Sequence, residues 1–544
     1  MQGKMMHRPL SIMDILKFAR DTHGDAEIVS ATVEGDIHRQ TYRETYTRVC
    51  RLGQVLQGLG LGLGDRIATM AWNGYRHFEL YYAISGIGAV CHTLNPRLSP
   101  DQLIYITHHA DDKVLFLDLT FVPIVEALVD KLPKGMRFVV MTDAAHMPDS
   151  ALDLLCYEDL MDAADKEIVW PELDENTASS LCYTSGTTGN PKGALYSHRS
   201  TVLHAMMGGI SFQNSLRCGA RILPVVPLFH VNAWGLPYGA PMTGASIVFP
   251  GPKLDGASIW ELMENEAVSS AWGVPTVWLG LLAEIQAKGR RPHNFNEVII
   301  GGSAAPRSMI AQFEDLGTNV CHAWGMTEMS PIGTQGNLDA PLSNLPLEDR
   351  LDLKMRQGRR IFGVDLKIVD DQGTALPHDG KSTGELFVRG NAIISGYFEN
   401  PEASAAAIDG EGWFGTGDVA AISPDGFLQI TDRAKDLIKS GGEWISSIDV
   451  ENMAMAHPSV ANCAVIAIAH PKWDERPLLV VVPADADSFD PAPVLDHLRR
   501  DLAKYQMPDD VVTIDALPLT ATGKVSKMTL RERFADYVLP DLRT

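Results

Sequence analysis

The sequence predicts an α/β protein: a large N-terminal domain of two parallel α/β layers plus a small, β-barrel-like unit, and a small α+β C-terminal domain. Three observations carry this. Helix-spaced and strand-like segments alternate through the first two-thirds of the chain, which implies parallel strands joined by crossover helices. From about Gly363 the texture changes to short strands and turns. After "TDRAKDLIKSGGEWIS" two more apolar strands and an amphipathic helix follow.

In the first layer "YTRVCRLGQVLQGLGL" has helical apolar spacing, and "DRIATMAW", "KVLFLD" and "RFVVMTD" read as short buried strands. The second layer repeats the pattern with "ARILPVVPLFH", "ASIVFPG" and "NEVIIGGSAAP", the last ending in a tight glycine turn. The β-rich unit contains "VDLKIVDDQG", "GELFVRG" and "DVAAISPDGFLQITDR", where "PDG" between apolar runs signals a hairpin. The last unit has strands "CAVIAIAH" and "PLLVVVP", the helix "PAPVLDHLRRDLAKY", and a polar tail "LPLTATGKVSK". There is no internal repeat or low-complexity tract.

Composition narrows the function classes. A chain of 544 residues, 45% hydrophobic and 21% charged, is globular and too long for one ordinary domain. Its formal net charge of −22 argues against nonspecific binding to nucleic acid or an anionic membrane. It leaves room for a local basic pocket. The seven cysteines are scattered without a C-x-x-C pair, which disfavours a disulfide framework or a structural zinc site and suits a reducing compartment. The N-terminal segment is interrupted by polar residues, so no signal peptide is expected. No run is apolar enough for an integral membrane segment. A cytoplasmic protein is the expectation.

Chemistry is expected at strand ends, where open α/β sheets bind ligands. Three polar or glycine clusters lie there: "TSGTTGNPKG", "GGSAAP" and "HAWGMTE". The stretch "YTSGTTGNPKG", Tyr183 to Gly193, combines glycines, hydroxyls and one lysine directly after the apolar "ASSLCY". Backbone N–H groups in such a loop make an anion-binding concavity, hydroxyls add donors, and the lysine adds a point charge. A polyphosphate fits. The loop departs from the G-x-x-x-x-G-K-[ST] pattern, because Lys192 precedes Gly193 and no Ser or Thr follows it directly. A plain surface loop is the bland alternative.

Seven motifs in order, "YTSGTTGNPKG", "PLFHVNAW", "GGSAAP", "WGMTE", "GWFGTGDVA", "DRAKDLIKSGGEWIS" and "TATGKVSK", resemble the adenylate-forming superfamily across most of the chain. Within it the chain is most similar to AMP-forming fatty acyl-CoA ligases, particularly 3-methylmercaptopropionate-CoA ligases and long-chain ligases. The resemblance implies ATP, Mg²⁺ and CoA as cofactors or co-substrates, and two half-reactions: acyl-AMP formation from a carboxylic acid, then transfer to the CoA thiol. The first gathers negative charge on phosphate, so it needs cations and donors aimed there.

Carried over by resemblance, Thr184, Ser185, Gly186, Thr187, Thr188, Gly189 and Lys192 would cradle the β- and γ-phosphates, and Thr184 and Glu328 would approach Mg²⁺. Asp418 would accept from the ribose hydroxyls, and Arg433 would reach ribose or phosphate. Gly302, Ser303 and Ala304, with His322, Ala323, Trp324 and Gly325, would sandwich adenine, Met326 and Thr327 continuing that wall. The family usually has tyrosine where Trp324 stands, so a ring is retained and the phenol is lost. Lys524 would contact the reacting carboxylate and α-phosphate, whereas Lys527 in the same tail reads as an ordinary exposed lysine. Lys439, Ser440, Gly441, Gly442, Glu443 and Trp444 would face the site in the thioester-forming state. His230 and Val231 would line the acyl side, with Trp234 closing the acyl pocket or filling the core, and Gly302 and Trp324 nearby.

Both lysines cannot occupy one small site without motion. The family's solution is rotation about a hinge, here Lys435. The expected division is 1–432, a hinge at 433–435, and a mobile lid at 436–544, with the β-rich unit at about 363–432. The acid is expected to be short or medium in chain length, 3-methylmercaptopropionate by name, with a long-chain fatty acid as runner-up. Loading of a carrier protein, luciferase-like oxidation and a nucleotide-binding regulator without catalysis are the competing functions. Only twenty residues follow Lys524, so no attached carrier domain is expected. A homodimer stays open.

Overall fold

The computed structural model describes residues 1, 3–184, 190–441, 443–520 and 523–542. The first layer is a seven-stranded sheet in the order Leu154–Cys156, Arg137–Val140, Val114–Leu117, Arg66–Met70, Val90–Thr93, Ala178–Tyr183, Gly193–Ser197. Its pairs are parallel except the last, where Gly193–Ser197 returns antiparallel to Ala178–Tyr183. Val114–Leu117 is buried at every position, as expected of a parallel strand covered on both faces. The helix read from "YTRVCRLGQVLQGLGL" runs Tyr42–Gly58 and starts ahead of its apolar stripe, because Thr41 and Glu44 form a capping box.

In the second layer Glu27–Ala31, Ser246–Phe249, Arg221–Pro224, Ser270–Gly273, Glu297–Ile300 and Asn319–Gly325 pair in parallel in that order. The sheet does not stop there. Asn319–Gly325 pairs antiparallel with Ile332–Gln335, and Gly358–Arg360 carries the sheet on into Phe427–Arg433, Phe414–Ile422, Thr383–Gly390 and Val364–Val369. With Ile37–Thr41 at the far edge this makes thirteen strands. The β-rich unit is therefore a continuation of the second layer, which leaves neither sheet an open edge at their junction. Its "PDG" hairpin is present, with Gly426 at φ 87° and its N–H on the Ser423 carbonyl (2.9 Å).

The last unit is a five-stranded sheet in which Asp474–Pro483 is flanked by Val460–His470, Ile438–Ser440 and Asp510–Thr513, with Glu443–Ile445 at the edge. Helices Ser447–Met455, Pro491–Leu498 and Lys527–Arg533 pack on it. Two apolar clusters, around Val465 and Leu479 and around Ile466 and Leu530, contain only residues of this unit. The chain passes from the large sheet to the small one in a turn at Ala434–Asp436, closed by the N–H groups of Asp436 and Leu437 on the Arg433 carbonyl (2.9 and 3.0 Å). Among the described residues no helix is long and apolar enough to cross a membrane. All seven cysteines are free, and six are buried.

Candidate active site

Two adjacent parallel strands bring the glycine clusters together. Ile300 sits beside His322 in register, so Gly301–Ala304 and Ala323–Gly325 leave the same edge of the sheet side by side. The approach is too close for side chains: a Cβ on Gly301 would lie 3.1 Å from both the Ala323 carbonyl oxygen and the Trp234 ring. Gly302 follows at φ 81°, a left-handed conformation that glycine adopts freely. Ser303 is exposed at this edge, and Ala304 is half-buried. Beyond them the Met326 N–H donates to the Pro331 carbonyl (3.0 Å), and the Thr327 carbonyl accepts from the Tyr196 hydroxyl.

The phosphate-loop candidates Ser185, Gly186, Thr187, Thr188 and Gly189 lie outside the described residues, as does Gly442. The loop's two ends are in place. The Thr184 N–H donates to the Lys192 carbonyl (2.9 Å), and the Thr184 hydroxyl accepts from the Lys192 N–H (3.4 Å). Lys192 Nζ stands 5.0 Å from the centroid of the Tyr397 ring, and the Tyr397 hydroxyl donates to Glu328 Oε1 (2.8 Å). Glu328 is buried on the short turn Thr327–Met329, and burial pushes its carboxyl up against the opposing pull of the Tyr397 hydrogen bond. Tyr397 was missed by sequence reasoning. It belongs to no motif quoted above, and only the fold of the β-rich unit carries it to Glu328.

Asp418 is buried and lies opposite Arg433 across an antiparallel pair. Its Oδ1 accepts from Arg433 Nε at 2.8 Å and its Oδ2 from Trp324 Nε1 at 2.9 Å. The aromatic substitution therefore keeps a donor as well as a ring, an indole N–H in place of a phenol. Burial raises the Asp418 pKa, while Arg433 and Trp324 hold it back. The His322 ring is buried within the fold. Burial lowers its pKa to about 4, and Nδ1 donates towards the carbonyls of Lys354 and Met355 (3.2 and 3.1 Å). That ring nitrogen is committed to the fold, and any part for His322 in the adenine wall excludes it.

Lys524 reaches this edge from the last domain. Its Cε lies 3.4 Å from where a Cβ on Gly302 would stand, and the neighbouring Gly523 carbonyl accepts from the Thr276 hydroxyl (3.3 Å). Burial lowers its ammonium pKa to about 8, helped by Arg433 and opposed by Asp418 and Glu328. His230 is pushed down to about 3 by burial and by Lys524, so its ring is neutral. After it, Val231, Asn232, Ala233 and Trp234 take φ values of 49°, 51°, 45° and 58°, a left-handed turn. Val231, Ala233 and Trp234 each cost about 1–2 kcal/mol there, while asparagine tolerates the region. Asn232 pins the turn to the strand that launches the phosphate loop: its side-chain N–H donates to the Ser180 hydroxyl (3.0 Å), and its oxygen accepts from the Cys182 thiol (3.4 Å). Trp234 is thereby laid against Gly301 and Gly302, with only 8% of its surface exposed.

The "SGGEW" hairpin stays outside. Lys439 is exposed, its Nζ 4.6 Å from the Trp444 ring centroid and its N–H on Glu475 Oε2 (2.8 Å). Gly441 at φ 61° packs on Trp473, and Glu443 and Trp444 are exposed. Lys435 is exposed in the turn between the sheets. The structure thus joins Thr184, Lys192, Gly302, Trp324, Glu328, Asp418, Arg433, His230 and Lys524. No contact recorded among the described residues draws Lys439 or Trp444 to them.

Loops at the ends of parallel strands, a buried carboxylate backed by arginine and indole, and a lysine delivered by a second domain define a nucleotide-binding enzyme of two parts. The chain belongs to the AMP-binding enzyme family, whose model matches residues 17–398, with the AMP-binding enzyme C-terminal domain matching 449–524. It is 49% identical over 540 residues to 3-methylmercaptopropionyl-CoA ligase of Ruegeria lacuscaerulensis, covering 98% of this chain and 99% of that one. It is 48% identical to medium-chain-fatty-acid–CoA ligase of Ectopseudomonas oleovorans, covering 99% and 98%. Its fold matches a crystal structure of an anthranilate CoA ligase in complex with anthranoyl-AMP, with TM-score 0.86, 23% identity, and 98% and 99% coverage. Within the family the chain is an AMP-forming acid–thiol ligase.

Proposed function

We propose that this acyl-CoA ligase activates a short- to medium-chain carboxylic acid, with 3-methylmercaptopropionate as the named candidate. The acid's carboxylate attacks the α-phosphorus of ATP as the bond to pyrophosphate breaks. The CoA sulfur then attacks the acyl carbonyl, losing its proton, and AMP leaves. The observation that supports the first step is Lys524 seated beside Gly302, facing Arg433, Asp418 and Glu328. A charged donor fixed there meets the developing charge without reorganisation. Asp418 holds the ribose, Lys192 and the loop after Thr184 hold the phosphates, and neutral His230 lies beside the acyl carboxylate without adding charge.

Thr184 and Glu328 would hold Mg²⁺, which supplies charge neutralisation to the triphosphate when bound. The donor set suits that ion. Among the described residues no cluster of three or more His, Cys, Asp or Glu forms a metal cage, and Mg²⁺ takes one or two carboxylates, keeping waters and phosphate oxygens. The second step calls for Lys439 and Trp444 at the site, so residues 436–544 rotate about Lys435 against residues 1–432. A reducing, cytoplasmic setting fits seven unpaired cysteines.

Trp234 packed against Gly301 and Gly302 favours a shallow acyl pocket, and with the two bacterial relatives it supports the choice of acid. A series of acids of rising chain length, followed by CoA-dependent AMP release, tests it. The highest kcat/KM belongs at 3-methylmercaptopropionate and similar acids. A maximum at long-chain acids would replace the proposed substrate, and exchange of pyrophosphate without CoA consumption would point to a carrier protein instead.

A further inference from the structure

Something must hold the Lys524 loop against the large domain, and the strand that ends at Arg433 carries the handle. Asp432 Oδ2 accepts the Ser447 N–H at 2.7 Å and the Ser447 hydroxyl at 2.5 Å. Ser447 is the first residue of the helix Ser447–Met455, whose opening N–H groups have no partner within the helix and whose dipole favours an anion. A second strut lies beside it, the Ser446 hydroxyl on the Thr431 carbonyl (2.7 Å). Both contacts join a residue before Lys435 to a residue after it.

The same serine receives Lys527. Its ammonium donates to the Ser447 hydroxyl and pairs with Glu451 at 2.7 Å, and its side chain is only 13% exposed. The expectation of an exposed tail lysine is therefore wrong here, because Glu451 and Asp432 repay the burial of its charge. Lys527 stands directly after the loop that bears Lys524. That loop is closed at its base by the Ser526 N–H on the Pro518 carbonyl (2.8 Å) and by the Leu519–Val525 bridge. On the other side, Asp432 adjoins Arg433, the partner of Asp418. One connected path runs from the ribose-side carboxylate to the base of the Lys524 loop.

We propose that Asp432 and Lys527 are positioning residues for adenylation, tying the strand before the hinge to the helix and loop after it. The tie opens when the last domain rotates to present Lys439. This rests on the two-orientation reading given above. It accounts for a largely buried lysine and a buried aspartate whose side chains meet no candidate ligand-binding side chain, Asp432 reaching Arg433 only at its backbone N–H (2.8 Å), and it makes the orientation with Lys524 docked the resting one.

The test measures the half-reactions separately on the full chain, as acid-dependent ATP–pyrophosphate exchange and as thioester formation from supplied acyl-AMP and CoA. Asp432→Asn keeps the shape and removes the charge, and Lys527→Met keeps the length of the stem. Each should lower exchange about tenfold, the scale of one hydrogen bond to a charged group, and leave thioester formation unchanged or faster. Lys527→Arg should restore exchange. Ser447→Ala, which removes only the bridging hydroxyl, gives the same direction with a smaller fall and covers the case in which a charge variant fails to fold. Equal losses in both half-reactions, a loss confined to thioester formation, or no loss in either would overturn the proposal. Absence of acid-dependent exchange in the unsubstituted protein would instead overturn the ligase reading beneath it.

Discussion

Lys524 and Lys439 sit on the same small domain in opposite situations. Lys524 is drawn in beside Gly302, its pKa lowered by burial, while Lys439 is exposed and rests over Trp444. The domain has its own apolar clusters, so a rotation that carries one lysine would carry the other with it. On the proposed reading, the difference means that one orientation serves one half-reaction, so that the joint between the sheets matters as much as either side chain.

Breaking the joint should have the largest effect. Proline at position 435 fixes φ near −65°, so a hinge that needs two backbone states keeps one. Lys435→Pro should leave acid-dependent pyrophosphate exchange in place and lower thioester formation about 100-fold, since a misplaced group of about 1 Å already costs that much. Partial-rate measurements in rapid mixing decide it, and an unchanged overall ligase rate would move the hinge elsewhere.

The docked lysine should also impose a pH limit. A lysine with its pKa lowered to about 8 is charged below that pH and neutral above it. If adenylation uses the charged form, kcat/KM for ATP falls as pH rises through about 8, by about tenfold per pH unit on the steep limb. Lys524→Arg keeps its charge throughout that range, so its profile should lack the limb whatever its absolute rate. A wild-type profile flat from pH 7 to 10 would remove the charge from the mechanism.

Smaller effects sharpen the picture on the large domain. Trp324→Phe keeps the ring and deletes the N–H that holds Asp418 Oδ2. If Asp418 holds the ribose as proposed, losing one hydrogen bond to a charged group, about 1.5–3 kcal/mol, should raise KM for ATP more than it lowers kcat. Trp234→Ala should move preference towards longer acids, by roughly fourfold for each methylene newly buried at about 0.8 kcal/mol. An unshifted chain-length profile would leave Trp234 as core packing.

Much of this was legible in the sequence where local chemistry and fold agree. Apolar runs such as "KVLFLD" became buried parallel strands, and glycine clusters marked the strand ends because close backbone approach admits no Cβ. The acid–base pair Asp418–Arg433 sat in named motifs and was found across one hairpin. What was not legible depended on distant partners. Tyr397 gains its role only when the β-rich unit folds onto Glu328. Lys527 looks like any tail lysine until Glu451 and Ser447 surround it. The left-handed turn at Val231–Trp234 runs against the preference of Val231, Ala233 and Trp234, and is held by Asn232 on a strand some fifty residues earlier.

The central claim is that the two lysines divide the two half-reactions between two orientations of one domain. The most direct measurement is the pair of partial rates, with supplied acyl-AMP for the second, on Lys524→Ala and Lys439→Ala. The account predicts a crossed pattern. Lys524→Ala loses about 10²–10³-fold in adenylation, the scale of one lost oxyanion donor, and keeps thioester formation, while Lys439→Ala keeps adenylation and loses thioester formation. Equal losses in both steps for either variant would contradict it.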